Sequence, residues 1–161
     1  MLIKNNFLPK ENLKTLQDLV FGVNFPWFFQ SNVTCNDDKQ EENYYFVHTI
    51  YNDNQVNSAF FNTFNENLLK KLKINSLIRV KINFYHKTKT LIKHDFHTDF
   101  DFPHKTALFY FNNNDGFTEF KNGTKIDSYE NRLLTFDGLQ QHRSTTCTNA
   151  KGRFNININY I

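Results

Sequence analysis
His97-Thr98-Asp99 sets an imidazole and a carboxylate two residues apart. On an extended chain that spacing puts both side chains on one face while Thr98 turns away. Such a pair can supply two ligands to a metal ion. The third candidate is His142, which follows the run Leu133-Leu134-Thr135-Phe136. Two imidazoles and one carboxylate on one side of a metal leave its other positions open, which suits ferrous iron better than a closed zinc site. His-x-Asp alone is common by chance, so its surroundings must decide. His94 and His104 are rival ligands, but no acid stands two positions after His94 and His104 follows Pro103 in an expected loop. Both read as histidines behind the site or on the surface.

The elements that must position these residues are mostly strands. Ile78, Val80, Ile82 and Phe84 alternate with Arg79, Lys81, Asn83 and Tyr85, a long half-buried strand. His94 to Phe100 and Ala107 to Phe111 read as two more. Phe117 to Lys121 and Thr124 to Asp127 flank Asn122-Gly123, a strong hairpin signal, and strands at Leu133 to Phe136 and Arg153 to Ile161 follow. In the last, Phe154, Ile156, Ile158 and Tyr160 point one way and Arg153, Asn155, Asn157 and Asn159 the other. The polar row either faces water or lines a cavity with Arg153 at its deep end. Ahead of these, helical spacing predicts helices over Pro9 to Gly22 and Asn57 to Lys73. Phe25 to Phe29 and Tyr44 to Tyr51 read as strands, with Asn36 to Asn43 as a loop between them. His48, in the second of these strands, reads as a structural histidine, since no carboxylate is placed to pair with it. Many short strands with regular turns predict a mainly β fold, a sandwich or jelly roll.

The 161 residues fit one domain, with residues 1–76 as support and 77–161 as the core that carries the chemistry. Two cysteines, Cys35 and Cys147, are too few for a disulfide framework and predict a reducing, cytoplasmic setting. No stretch has signal-peptide or membrane length. The net charge of +3 is small and its lysines are scattered, so neither nucleic acid nor membrane is indicated as a partner. Only four of the 19 basic residues are Arg, which suggests positions needing a planar, two-pronged donor.

Taken in order, Tyr85, His97-x-Asp99, Leu108-Phe109-Tyr110-Phe111-Asn112, Gly116-Phe117-Thr118-Glu119-Phe120, Leu134-Thr135-Phe136, His142 and Arg153 resemble the core of the 2-oxoglutarate- and Fe(II)-dependent dioxygenases. The resemblance is to their prolyl-4-hydroxylase-like branch, including compact phage and bacterial forms, and covers about half of the chain. Its weight lies in a conjunction: a His 45 residues after the His-x-Asp, and an Arg 11 residues further on. The resemblance implies a double-stranded β-helix, Fe(II) on His97, Asp99 and His142, and the distal carboxylate of 2-oxoglutarate on Arg153. It also places Tyr110 on that carboxylate and Tyr85 near the cosubstrate. O₂ would be the oxidant and ascorbate a candidate reductant. The implied outcome is hydroxylation of a protein, peptide or small molecule, with release of succinate and CO₂. Two departures stand out: Asp115-Gly116 where the pattern has Gly-Gly, and Asn131-Arg132 where it has a Gly. Asn can take the left-handed conformation that such a Gly would supply. A non-catalytic jelly-roll binding module and a cupin-type metal oxygenase that uses no 2-oxo acid are the competing readings; neither needs Arg153.

Overall fold
The computed structural model describes residues 1–33 and 43–161. The expected loop at Asn36 to Asn43, apart from Asn43, and Cys35 lie outside the described residues. Strands occupy β1 (Leu2–Lys4), β2 (Phe28–Gln30), β3 (Tyr45–Asn52), β4 (Gln55–Val56), β5 (Leu77–His86) and β6 (Lys105–Tyr110). They continue as β7 (Phe117–Phe120), β8 (Lys125–Asp127), β9 (Arg132–Asp137), β10 (His142–Arg143) and β11 (Gly152–Tyr160). Helices are α1 (Lys10–Val20) and α2 (Phe61–Asn67), followed by a 3-10 turn at Leu69–Lys71.

A large antiparallel sheet runs β1-β9-β6-β11-β5-β3-β2, with β4 on β3, and a small sheet runs β10-β7-β8. The fold is therefore the expected double-stranded β-helix. The large sheet is covered on both faces. On one, Leu13, Leu16 and Val20 of α1 and Phe64 of α2 pack with Val80, Ile82, Phe109, Ile156 and Ile158. Burying each of the larger of these side chains stabilises the fold by about 1.5–3 kcal/mol. On the other face Leu108, Tyr110, Leu134 and Phe136 meet Phe120 and Ile126 of the small sheet. This double coverage settles the ambiguity of the last strand. Arg153, Asn155, Asn157 and Asn159 are all buried, so the polar row of β11 faces a cavity and not water.

Several expectations are corrected. His94 to Phe100 does not form a strand. His94 N–H donates to Ser144 C=O, and His97 and His142 exchange two backbone bonds, so three steps on one segment oppose two on the other. The extra residue breaks the ladder as a bulge does. The helix expected over Asn57 to Lys73 is only the seven residues of α2 plus the 3-10 turn, because the Ser58 hydroxyl accepts the Phe60 N–H and Leu68 leaves helical geometry at φ −134°. The helical spacing of Phe61, Phe64, Leu68 and Leu72 still marks the inward side: Phe64 and Leu68 are core, and Phe61 and Leu72 pack against it partly buried. Phe25 is core but lies outside β2. The Asn122-Gly123 hairpin forms, with Gly123 at φ +87°; Asn122 keeps a negative φ, so the loop is a three-residue one with a left-handed Gly rather than a two-residue turn. His48 is structural, held by Pro26 C=O and Ser58 Oγ. Cys147 is buried and unpaired. Among the described residues no helix is long and apolar enough to cross a membrane.

Candidate metal and cosubstrate site
His97 and His142 are brought together by their paired backbone bonds, 2.9 and 3.0 Å, with ring centroids 4.8 Å apart. Each ring donates Nδ1–H to a backbone carbonyl two residues earlier, His97 to Asp95 at 3.2 Å and His142 to Gln140 at 3.1 Å. That fixes the tautomer and frees Nε2, the arrangement that metal-ligating histidines adopt. Asp99 completes the group, and the three ligand atoms lie within 4.8 Å of one another.

Asp99 is held from behind by residues that sequence reasoning did not assign to the site. Arg79 Nη2 on β5 donates to Oδ1 at 2.6 Å, and Asn157 and Asn159 of β11 each donate to Oδ2 at 3.0 Å. The register pairs Asn159 with Arg79 and Asn157 with Lys81, so two polar strand faces meet under the carboxylate. Burial alone would raise its pKa, but Arg79, His142 and the two amides outweigh burial and hold it well below the usual carboxylate range. Asp99 is thus anionic and oriented, as a metal ligand must be.

Arg153 sits across from Tyr85 in the β11–β5 register and is fully buried. Its Nε donates to Ser128 Oγ at 2.7 Å, Nη2 to Thr118 Oγ1 at 3.0 Å and Nη1 to Thr145 C=O at 3.4 Å. All three acceptors are neutral. Among the described residues no carboxylate lies within ion-pair distance of it, and a buried charge without a partner is costly. Tyr110 is fully buried behind this group, with its hydroxyl 2.8 Å from Thr118 Oγ1. Its ring lies 5.6 Å from the Arg153 guanidinium, so it meets Arg153 directly as well as through Thr118. Tyr85 lines the cavity, its ring 5.3 Å from the Arg153 guanidinium; burial pushes its phenol pKa up, with Arg153 acting against that. Gly116 is needed here for space, since a Cβ would come within 2.5 Å of Thr146 C=O and 2.6 Å of Arg153 Cδ. At the other departure, Asn131 adopts φ +60°.

One cavity joins these groups. Its walls include His97, Asp99, His142, Arg153, Thr118 and Tyr85, and also Lys81, Asn83 and Tyr45. The rival histidines stay outside the three-residue group, and both are buried rather than on the surface. His94 Nδ1 lies 2.8 Å from Ser144 Oγ and its ring stacks on Tyr85. Burial first, and Arg153 next, push its pKa down to about 3. His104 packs on Gly138, where a Cβ would meet its ring at 2.1 Å, and it donates Nδ1–H to Phe102 C=O.

The residues present fit ferrous iron and a 2-oxo diacid. The donor set is imidazole and carboxylate, and a buried guanidinium with neutral acceptors and no carboxylate beside it among the described residues suits an anion. Of the other residues in the site, Asn157 and Asn159 belong to the polar row of β11 that the sequence offered as a cavity wall, and Arg79 is one of only four arginines. Thr118, Ser128 and Ser144 carry no signal in their types.

No family model and no curated protein matches the sequence. Solved structures do match the fold. A prolyl hydroxylase from Trichoplax adhaerens, in complex with a hypoxia-inducible-factor peptide fragment, superposes with a TM-score of 0.71 at 16% identity, over 99% of this chain and 82% of that one. A prolyl-4-hydroxylase from Pseudomonas putida gives 0.63 at 11% identity over 99% and 91%. A 2-oxoglutarate-Fe(II) oxygenase family protein from Burkholderia pseudomallei gives 0.69 at 10% identity over 99% and 84%. This chain has the double-stranded β-helix fold of the prolyl-hydroxylase-like 2-oxoglutarate oxygenases.

Proposed function
We propose that the protein is an Fe(II)- and 2-oxoglutarate-dependent dioxygenase that hydroxylates an organic substrate and releases succinate and CO₂. The observation that carries this is Arg153, a fully buried guanidinium with no carboxylate beside it among the described residues, in the wall of the cavity that also holds His97, Asp99 and His142. A cupin-type site with no 2-oxo acid leaves such a cation without a purpose, and a silent binding module leaves the His-Asp-His group without one.

Bound iron supplies the redox chemistry that couples O₂ reduction to decarboxylation of the 2-oxo acid and oxidation of a C–H bond. The chain supplies placement. His97 and His142 offer Nε2 because their Nδ1 protons are committed to Asp95 and Gln140. Asp99 stays ionised because Arg79, Asn157 and Asn159 hold it. Arg153 receives the distal carboxylate with fixed N–H donors, while Ser128, Thr118 and Tyr110 hold the guanidinium in place. Asp99 would serve as the third protein ligand and so take the place a halide would need, which favours hydroxylation over halogenation.

The test is purification under anaerobic conditions, loading with Fe(II), and exposure to O₂ with 2-oxoglutarate. Stoichiometric iron and succinate formation that requires both additions are expected. Succinate formation that is unaffected by omitting iron, or none under any condition together with loss of bound iron, would overturn the reading.

A further inference from the structure
Lys81 is the charged group in the cavity that the metal and cosubstrate reading leaves over. It lies on the same face of β5 as Arg79, Asn83 and Tyr85, opposite Asn157 of β11, and lines the same cavity as His97, Asp99, His142 and Arg153. Among the described residues its Nζ has only the Tyr45 hydroxyl at hydrogen-bond distance, 3.4 Å, and it stands 5.6 Å from that ring. Among the described residues no carboxylate pairs with it. The charges around it can be matched in turn. Asp99 is met by Arg79. The two positive charges of ferrous iron and the one on Arg153 more than offset the two carboxylates of 2-oxoglutarate. Lys81 then adds a further positive charge to a cavity that already carries a surplus. Asn83 Oδ1 and Asn157 Oδ1 are buried acceptors with no hydrogen-bond partner among the described residues, and both residues line the cavity with Lys81.

We infer that Lys81, with the Tyr45 hydroxyl, receives the carboxylate of a free amino-acid substrate whose ammonium group is taken by the Asn83 and Asn157 side-chain oxygens. The inference rests on the proposed function and narrows its substrate class. One ammonium point charge and one phenol suit a carboxylate monoanion, whereas a phosphate dianion calls for more donors than this wall presents. An internal residue of a peptide carries neither the carboxylate nor the ammonium that these groups would meet.

The experiment uses the Fe(II)-loaded protein with 2-oxoglutarate. The probes are the proteinogenic L-amino acids, each matched with its carboxamide and with an N-acetylated, C-amidated form. Binding is followed by anaerobic calorimetry and turnover by succinate release. At least one free amino acid should bind and stimulate turnover, and its carboxamide should bind at least about tenfold more weakly, since losing one partner of a desolvated charge pair costs that much or more. Lys81→Met should weaken the acid by a similar factor and no longer distinguish acid from amide; Lys81→Arg should retain most of the preference. The 2-oxoglutarate affinity of Lys81→Met should fall far less than that of Arg153→Leu. Equal binding of acid and amide, binding of the doubly capped forms alone, or no binding by any free amino acid to protein that still binds 2-oxoglutarate would each overturn the inference. So would a loss of 2-oxoglutarate affinity in Lys81→Met as large as in Arg153→Leu, which would assign the lysine to the cosubstrate. Failure of 2-oxoglutarate itself to bind would mark the failure of the underlying reading and overturn both.

Discussion
Asp99 has its orientation set before any metal arrives. Arg79 grips one oxygen at 2.6 Å and Asn157 and Asn159 grip the other. Groups that orient a ligand in this way are typically worth about 10–100-fold in metal affinity, so Arg79→Leu should weaken Fe(II) binding by roughly that factor without unfolding the protein. Equilibrium dialysis against Fe(II) checks it, and an unchanged affinity would mean that Asp99 needs no brace. On the proposed metal assignment, His142→Ala should abolish most of the binding, because it removes one of the three candidate ligands found among the described residues. The Tyr110 hydroxyl shares Thr118 with Arg153, and its ring packs beside the guanidinium, so a change to Phe keeps the ring and loses one neutral bond. Tyr110→Phe should therefore lower 2-oxoglutarate affinity by less than about tenfold, the worth of one neutral hydrogen bond. A loss as large as that of Arg153→Leu would mean that the phenol contacts the cosubstrate directly.

Asn131 ties β9 to the chain just before α1. At φ +60° its Oδ1 accepts Leu8 N–H at 2.8 Å and its Nδ2 donates to Leu8 C=O at 2.9 Å. Asn131→Ala loses both bonds and keeps a left-handed residue, at a cost of about 1–2 kcal/mol for the conformation and about 1 kcal/mol for each bond. Asn131→Gly loses only the bonds. Urea unfolding should rank wild type, Gly and Ala in falling stability, and Gly falling below Ala would contradict this account of the turn. The same element shows what a sequence conveys. The left-handed Asn was readable from its position, and so were the alternations of β5 and β11, because period-two patterning is local. Whether the polar row of β11 faced water was not readable, because that depends on the small sheet and on a register placing Asn159 beside Arg79. The bulge near His94 and the early end of α2 were hidden too. Neither is marked by Gly or Pro: the bulge follows from backbone bonds to the distant His142–Ser144 segment, and α2 ends where Leu68, a good helix former by type, turns to φ −134° as it enters the core.

The molecule buries several histidines, and its stability should respond to pH accordingly. His94 has a folded pKa pushed down to about 3 against about 6.5 for the unfolded chain. The unfolded state therefore binds the extra proton first. The stability that depends on neutral His94 is fully present above pH 6.5 and is lost as pH falls toward 3, at up to about 1.4 kcal/mol per pH unit. Burial also lowers His48 and His142, so the His94 share is the difference between wild type and His94→Leu. Denaturant midpoints between pH 7 and pH 4 should fall less steeply in His94→Leu, and parallel curves would show that His94 is not the titrating group. The central claim is that one cavity combines a His-Asp-His metal group with a buried guanidinium that receives a 2-oxo diacid. It is tested most directly by titrating 2-oxoglutarate into the anaerobic Fe(II)-loaded protein and into its Arg153→Leu variant. The expected result is saturable binding to wild type and an affinity at least about tenfold lower in the variant, the minimum for a charge pair worth about 2–5 kcal/mol, with iron content unchanged. Equal affinity in the two proteins would contradict the account.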